Sequence, residues 1–348
     1  NGLADNGLAD SGIADSGLEA SDYTLAGTEP DSFLDHVMAG NELIDMDMEQ
    51  VCEPNFQLSC DGAALYWFDS CGLRGQLSQE CSADERCVNE PPHCKTIAPC
   101  EQSMQCPMIE WVQFPSGTFQ MGSNELPTTR PPHEVNINQF EIMRHEITVG
   151  QYRSCVVAEQ CQVPPASLGQ YCNWTATPED RENYPINCIS WFDLMHFAAW
   201  VGARLPSEAE WAYAAKTQNQ SSRYYWGDQE PNCDLADYGG AGCGDGSSPV
   251  CSHLDENGPL CDMAGNIREW VLDEYHSSFD QAPTDGSAWC FGQCPVNADD
   301  SNYSENDDNL RVTRGGAWNS GPEQLEIISR IPESPVSSLG HLGGRLVR

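Results

Sequence analysis

At 348 residues the chain has room for two or three domains and a sizeable core. It carries 16 Lys plus Arg against 53 Asp plus Glu, a formal net charge of -37. A field of that sign repels phosphate backbones and anionic lipid, which excludes nucleic acid and anionic membrane as direct partners. No apolar run approaches the roughly 20 residues needed to span a bilayer. The 18 cysteines are even in number and form no C-x-x-C pair. That pattern points to a disulfide framework in an oxidising compartment, extracellular or at the cell surface, and away from zinc. The start at Asn1, without Met or an apolar leader, predicts an exported chain whose signal is already gone.

Residues 1–20 are a pentad repeat, NGLAD-NGLAD-SGIAD-SGLEA, with Leu3, Leu8, Ile13 and Leu18 at every fifth position. A period of five matches neither strand nor helix. Four aliphatic side chains cannot offset the entropy of ordering a glycine-rich segment, so this tail needs a surface to lie on. Its own body and a neighbouring copy are both candidates, and self-association through the tail is the expected use of the second. Residues 21–50 are an acidic connector. Ser32 could cap a short helix there, with Phe33, Leu34, Val37 and Met38 on one face and Gly40 ending it.

Residues 51–106 hold eight cysteines and read as a small stapled β module with too little core to fold without bridges. The run Ala64–Phe68 is its clearest strand. The pattern is similar to short cysteine-rich modules of secreted bacterial proteins. Residues 107–348 form the main domain, with few helical patterns. One helix is predicted from about Ser190 to Val201, with Trp191, Leu194, Phe197, Ala198 and Trp200 on a broad apolar face. A second follows Leu205, opened by a capping box of Ser207 and Glu210. Pairing of neighbours is the expectation for Cys155 with Cys161, Cys172 with Cys188, Cys233 with Cys243, Cys251 with Cys261, and Cys290 with Cys294.

An ordered set of runs crosses this domain: Phe119–Ser123 (FQMGS), Pro132–Val135, Glu146–Tyr152 (EITVGQY), Pro185–Trp191, Ala203–Trp211 (ARLPSEAEW), Tyr225–Asp228, Asp262–Trp270 (DMAGNIREW) and Arg311–Trp318 (RVTRGGAW). In this order they resemble the formylglycine-generating enzyme (sulfatase-modifying factor) family. The resemblance implies an irregular α+β domain related to C-type lectins, with bound calcium. By resemblance, one calcium site would use Asp262, the Gly265 and Ile267 carbonyls, and Glu269. The other would use Asp237, the Tyr238 carbonyl, Asp245 and the Ser247 carbonyl. Oxygen ligands of this kind suit Ca²⁺.

The family's enzymes oxidise a substrate cysteine with Cu(I), a soft ion that needs thiolates. Where the family carries its two cysteines this chain has Ser320 and Leu325, and Ala317 replaces a serine beside the oxygen site. Gly344 stands where Phe is usual. No copper is therefore expected, and the chain is read as a pseudoenzyme. Three functions remain open: a structural subunit of a surface filament that polymerises through its tail, a binder of surface glycan or protein through the loops from Trp318 to Gly343, and an enzyme of unrecognised chemistry.

Overall fold

The computed structural model describes residues 106–348 apart from 165–168, 179, 217–221, 240–242, 254–257 and 296–308, together with Ser70, Cys100 and the strands between 57 and 96. The repeat tail with Leu3, Leu8, Ile13 and Leu18, and the expected helix near Ser32, lie outside the described residues.

In the cysteine-rich part, β1 (Gln57–Asp61), β2 (Ala64–Phe68) and β3 (Arg74–Glu80) form an antiparallel sheet with β2 in the middle. β2 is the run read as a strand from its aromatic and aliphatic residues. Leu65 is its buried member. β4 (Glu85–Asn89) and β5 (Pro92–Thr96) make a separate hairpin.

In the main domain, β6 (Trp111–Phe114) pairs with β9 (Phe140–Met143), and β7 (Gly117–Met121) with β8 (His133–Ile137), both antiparallel. The larger sheet runs β12 (Ile331–Glu333), β11 (Arg311–Arg314), β10 (Arg268–Glu274), β13 (Leu342–Gly343). β10 is buried almost throughout, as suits an interior strand covered on both faces. Its neighbour β13 runs parallel to it and sets Glu269 opposite Gly343. That approach needs glycine: a Cβ at Gly343 would lie 2.3 Å from the Ile186 carbonyl oxygen. At Gly344 it would come within 3.1 Å of the Leu194 side chain, so a larger residue there requires Leu194 to give way.

Helix α2 (Trp191–Val201) and helix α3 (Glu208–Lys216) match their sequence signatures. Ser190 Oγ accepts from the Asp193 amide and Asp193 returns a bond to the Ser190 amide. Ser207 and Glu210 make the same reciprocal pair. Each pair satisfies two amides that a helix start leaves without partners. Helix α1 (Val149–Val157) is an addition to the sequence reading, although Thr148 and Gln151 build an equivalent capping box.

Two large apolar clusters and a smaller one around Tyr224 and Leu325 form the core of the described residues. One gathers Trp191, Phe197 and Trp200 of α2 with Tyr152 of α1 and Trp270 of β10. The other packs Trp211 of α3 against Phe119, Val135, Phe140 and Val312. The five expected neighbour disulfides are all present, and Cys100–Cys106 adds a sixth among the described residues. A framework of this kind belongs to an oxidising compartment.

Candidate functional site

β11 runs into Gly315 and Gly316, both with left-handed φ of +87° and +70°. Side chains would not fit: a Cβ at Gly316 would lie 2.8 Å from the Gln324 carbonyl oxygen. The turn delivers the loop that resembles a catalytic loop. Ser320 is buried, and its Oγ accepts from the Ala317 amide at 3.0 Å. The Ser320 amide returns to the Ala317 carbonyl at 2.8 Å. Leu325 is 1% exposed and packs with Tyr224, Ala236, Tyr238 and Ala264. A hydroxyl tied into its own turn and a buried leucine side chain do not fit Cu(I), which binds soft thiolates.

Beyond this loop the surface is aromatic and polar. Tyr171 is exposed, and its ring lies 4.8 Å from that of Trp318 at a 38° tilt. Trp318 Nε1 donates to the Gly340 carbonyl. Asn187 fixes the platform from below, donating to the Tyr171 carbonyl at 2.9 Å and the Gly340 carbonyl at 2.7 Å. Beside it, His341 faces the Arg268 guanidinium with Nε2 and the Asn319 side-chain amide with Nδ1. Burial, with the Arg268 charge second, pushes the His341 pKa down to about 4, so the ring is neutral and accepts from Arg268.

The residues expected to hold calcium lie behind this loop. Gly265, with φ +87°, lets the 262–269 turn press onto residue 237: a Cβ there would sit 2.4 Å from the Asp237 carbonyl oxygen. Asn266 ties three segments together. Its amide donates to the Asp237 carbonyl, its Nδ2 to Glu146 Oε1, and its Oδ1 accepts from the Ser248 amide. Asp262 Oδ2 accepts from the Cys251 amide at 2.6 Å. Burial raises the Asp262 carboxyl to about 6, and raises the fully buried Glu146 well above the ordinary range, with Asp262 as its second cause. Asp237 Oδ1 lies 3.2 Å from His253 Nε2, and this bond is the largest influence raising the His253 pKa.

Asp237 Oδ2 and Glu146 Oε2 are buried without a hydrogen-bond partner. Oxygen donors of this kind suit a hard cation. Glu269 does not suit it in this arrangement. Both its oxygens are engaged, Oε1 by Arg345 Nη2 at 2.7 Å, and Oε2 by Arg345 Nε at 2.8 Å and Trp211 Nε1 at 2.9 Å. Asp245 is exposed, and Ser247 Oγ accepts from Asn173 Nδ2. Tyr238 directs its hydroxyl to the Pro231 carbonyl. The carbonyls of Gly265 and Ile267 lie on the same turn as Asp262. Among the described residues, no three His, Cys, Asp or Glu side chains are grouped as a metal-ligand cluster. Glu146, His253 and Arg345 were not singled out as ligands or partners from sequence. Glu146 opens the Glu-Ile-Thr-Val run, but its neighbours at 262 and 266 are more than a hundred residues away.

A family model for the sulfatase-modifying factor enzyme 1-like domain matches residues 97–348. The formylglycine-generating enzyme of Mycobacterium tuberculosis is 27% identical over 302 residues, covering 69% of this chain and 98% of that protein. The inactive C-alpha-formylglycine-generating enzyme 2 of Bos taurus is 24% identical over 291 residues, covering 68% and 87%. Among solved structures, PvdO from Pseudomonas aeruginosa superposes with a TM-score of 0.58 at 26% identity, covering 71% of this chain and 95% of that one. The motifs, the irregular mixed fold and these similarities agree: the chain belongs to the sulfatase-modifying factor enzyme 1-like domain family.

Proposed function

We propose that this chain is a non-catalytic extracellular structural protein, a surface-filament subunit that polymerises through its N-terminal tail. The observation that carries the non-catalytic part is the burial of Leu325 in the apolar core and the closure of Ser320 onto Ala317. The bovine relative whose name declares it inactive supports the same reading. Assembly is supported by the repeat at residues 1–20, which cannot pay its own ordering entropy. Calcium, held around Asp237 and Asp262 with backbone carbonyls, would steady the loops beneath.

Removing residues 1–20 and comparing molar mass by light scattering tests the assembly. The expected outcome is concentration-dependent oligomers in the full chain and a monomer after truncation. A full chain that stays monomeric at every concentration sinks the filament.

A second reading, binding of a surface glycan or protein through the 318–343 loops, is favoured by the exposed Tyr171 ring beside Trp318. Aromatic faces flanked by hydrogen-bonding groups suit either ligand. Loss of glycan-array or cell binding on Trp318→Ala would support it.

A further inference from the structure

A cavity of about 330 Å³ opens between the end of α2, the start of α3, β10 and the loop closed by the Cys290–Cys294 bridge. Its lining shares no residue with the 315–325 loop or with the acidic groups around Asn266. It is more than twice the about 150 Å³ void that accepts benzene, and falls within the range of ligand pockets.

Its walls are apolar, built by Met195, Leu272 and Ala288, and its polar edge is Arg204 with Glu210. Arg204 has five N–H donors. Nη1 donates to Glu210 Oε2 at 2.7 Å and to the Leu205 carbonyl at 3.2 Å, and Nη2 donates to Glu210 Oε1 at 2.6 Å. Among the described residues, Nε and the second Nη2 N–H meet no acceptor, on a side chain that is 43% exposed. Glu210 is held in place by the Ser207 amide, and Ser207 Oγ reaches across to the Gly286 carbonyl at 2.8 Å. The capping box of α3 thus fixes the polar edge, and a disulfide closes the facing loop. A site of this make-up suits an aliphatic group with a carboxylate close to it.

The chain itself carries that combination three times: Leu3 with Asp5, Leu8 with Asp10, and Ile13 with Asp15. Bound as an extended strand, residues i and i+2 point to one side, so each aliphatic group and its acid would enter together. We infer that this cavity is the seat for residues 1–20 of a second copy, one aliphatic side chain lying against Met195 and Leu272 while the aspartate two residues on meets Arg204. The inference rests on the assembly reading above and gives the tail its receptor. Tail and cavity are different surfaces, so the contact is head-to-tail and builds open filaments when it does not close.

The test pairs two readouts on the full-length chain. A labelled peptide of residues 1–20 is titrated onto wild type and onto Ala288→Trp, which fills the cavity from its half-buried rim. Sedimentation velocity follows self-association of the same proteins. Saturable peptide binding that weakens at least tenfold in Ala288→Trp, and equally for a peptide with its four aliphatic residues changed to Ser, is the expected result, with loss of oligomers in Ala288→Trp. An unchanged melting transition shows that the variant folds; should it not, Ser287→Trp at the exposed rim replaces it. If the wild type and Ala288→Trp assemble alike, or the peptide binds both equally, the cavity is not the seat and only the assembly reading survives. A monomeric wild type that still binds the peptide in the cavity sinks filament assembly alone. Peptide binding seen only after deletion of residues 296–308, which follow the cavity-lining Pro295, would assign the cavity to that segment and overturn the inference.

Discussion

Glu269 lies on β10 with both carboxylate oxygens hydrogen-bonded, to Arg345 and to Trp211. In the linear run DMAGNIREW it is a ligand in waiting. In the fold it is a counter-ion, because Arg345, 76 residues downstream, enters beside it along β13. Both side chains are essentially fully buried. Removing one charge strands the other, so Glu269→Gln should cost about 3–5 kcal/mol, measured by urea unfolding. Little change would mean that Arg345 finds another partner. Asp273 offers a proton-linked test. Burial, and secondly the Glu208 charge, push its carboxyl from 3.8 up to about 7. The folded chain therefore holds this proton more tightly than the unfolded chain does. The stability it contributes is complete below about pH 4 and is lost as pH rises through about 7. The urea midpoint should fall between pH 5 and pH 8, and Asp273→Asn should flatten that fall. A midpoint that rises over this interval would contradict the assignment.

At the scale of elements, what was legible was local. The α2 and α3 caps, the strand at Ala64–Phe68 and the neighbour disulfides all depend on residues close in sequence. Helix α1 carries the same Thr-x-x-Gln signature at 148–151 but has a short, weakly apolar run behind it, and so it did not stand out. The sheet order β12-β11-β10-β13 could not be read, because it joins strands 70 residues apart through loops with no periodicity. The candidate site was half legible for the same reason. The turn residues 262–269 are contiguous, whereas Glu146, Asp237 and His253 reach it from elsewhere. The capping boxes give a direct test: Ser190→Ala should destabilise the domain by about 1 kcal/mol, read as a lower melting temperature with unchanged helix content. A loss above about 2 kcal/mol would mean that Ser190 does more than cap.

For the whole molecule, cross-links of several kinds hold the framework. Disulfides at short spacing pin the loops, the buried pair Glu208–Arg330 ties α3 to the segment before β12, Glu269–Arg345 ties β10 to the C-terminal segment, and glycine turns hold the 262–269 and 315–316 segments in contact. This framework holds the family's fold, with Ser320 and Leu325 buried in the loop after β11. Among the described residues, the Tyr171–Trp318 surface and the cavity beside Arg204 are the open features suited to binding. The most direct measurement is elemental analysis of protein purified under native conditions, together with a Cu(I) competition titration. The expected result is calcium at or near stoichiometry, no bound copper or iron, and no Cu(I) affinity beyond that of a reduced control. One equivalent of copper or iron retained through purification would contradict the non-catalytic reading.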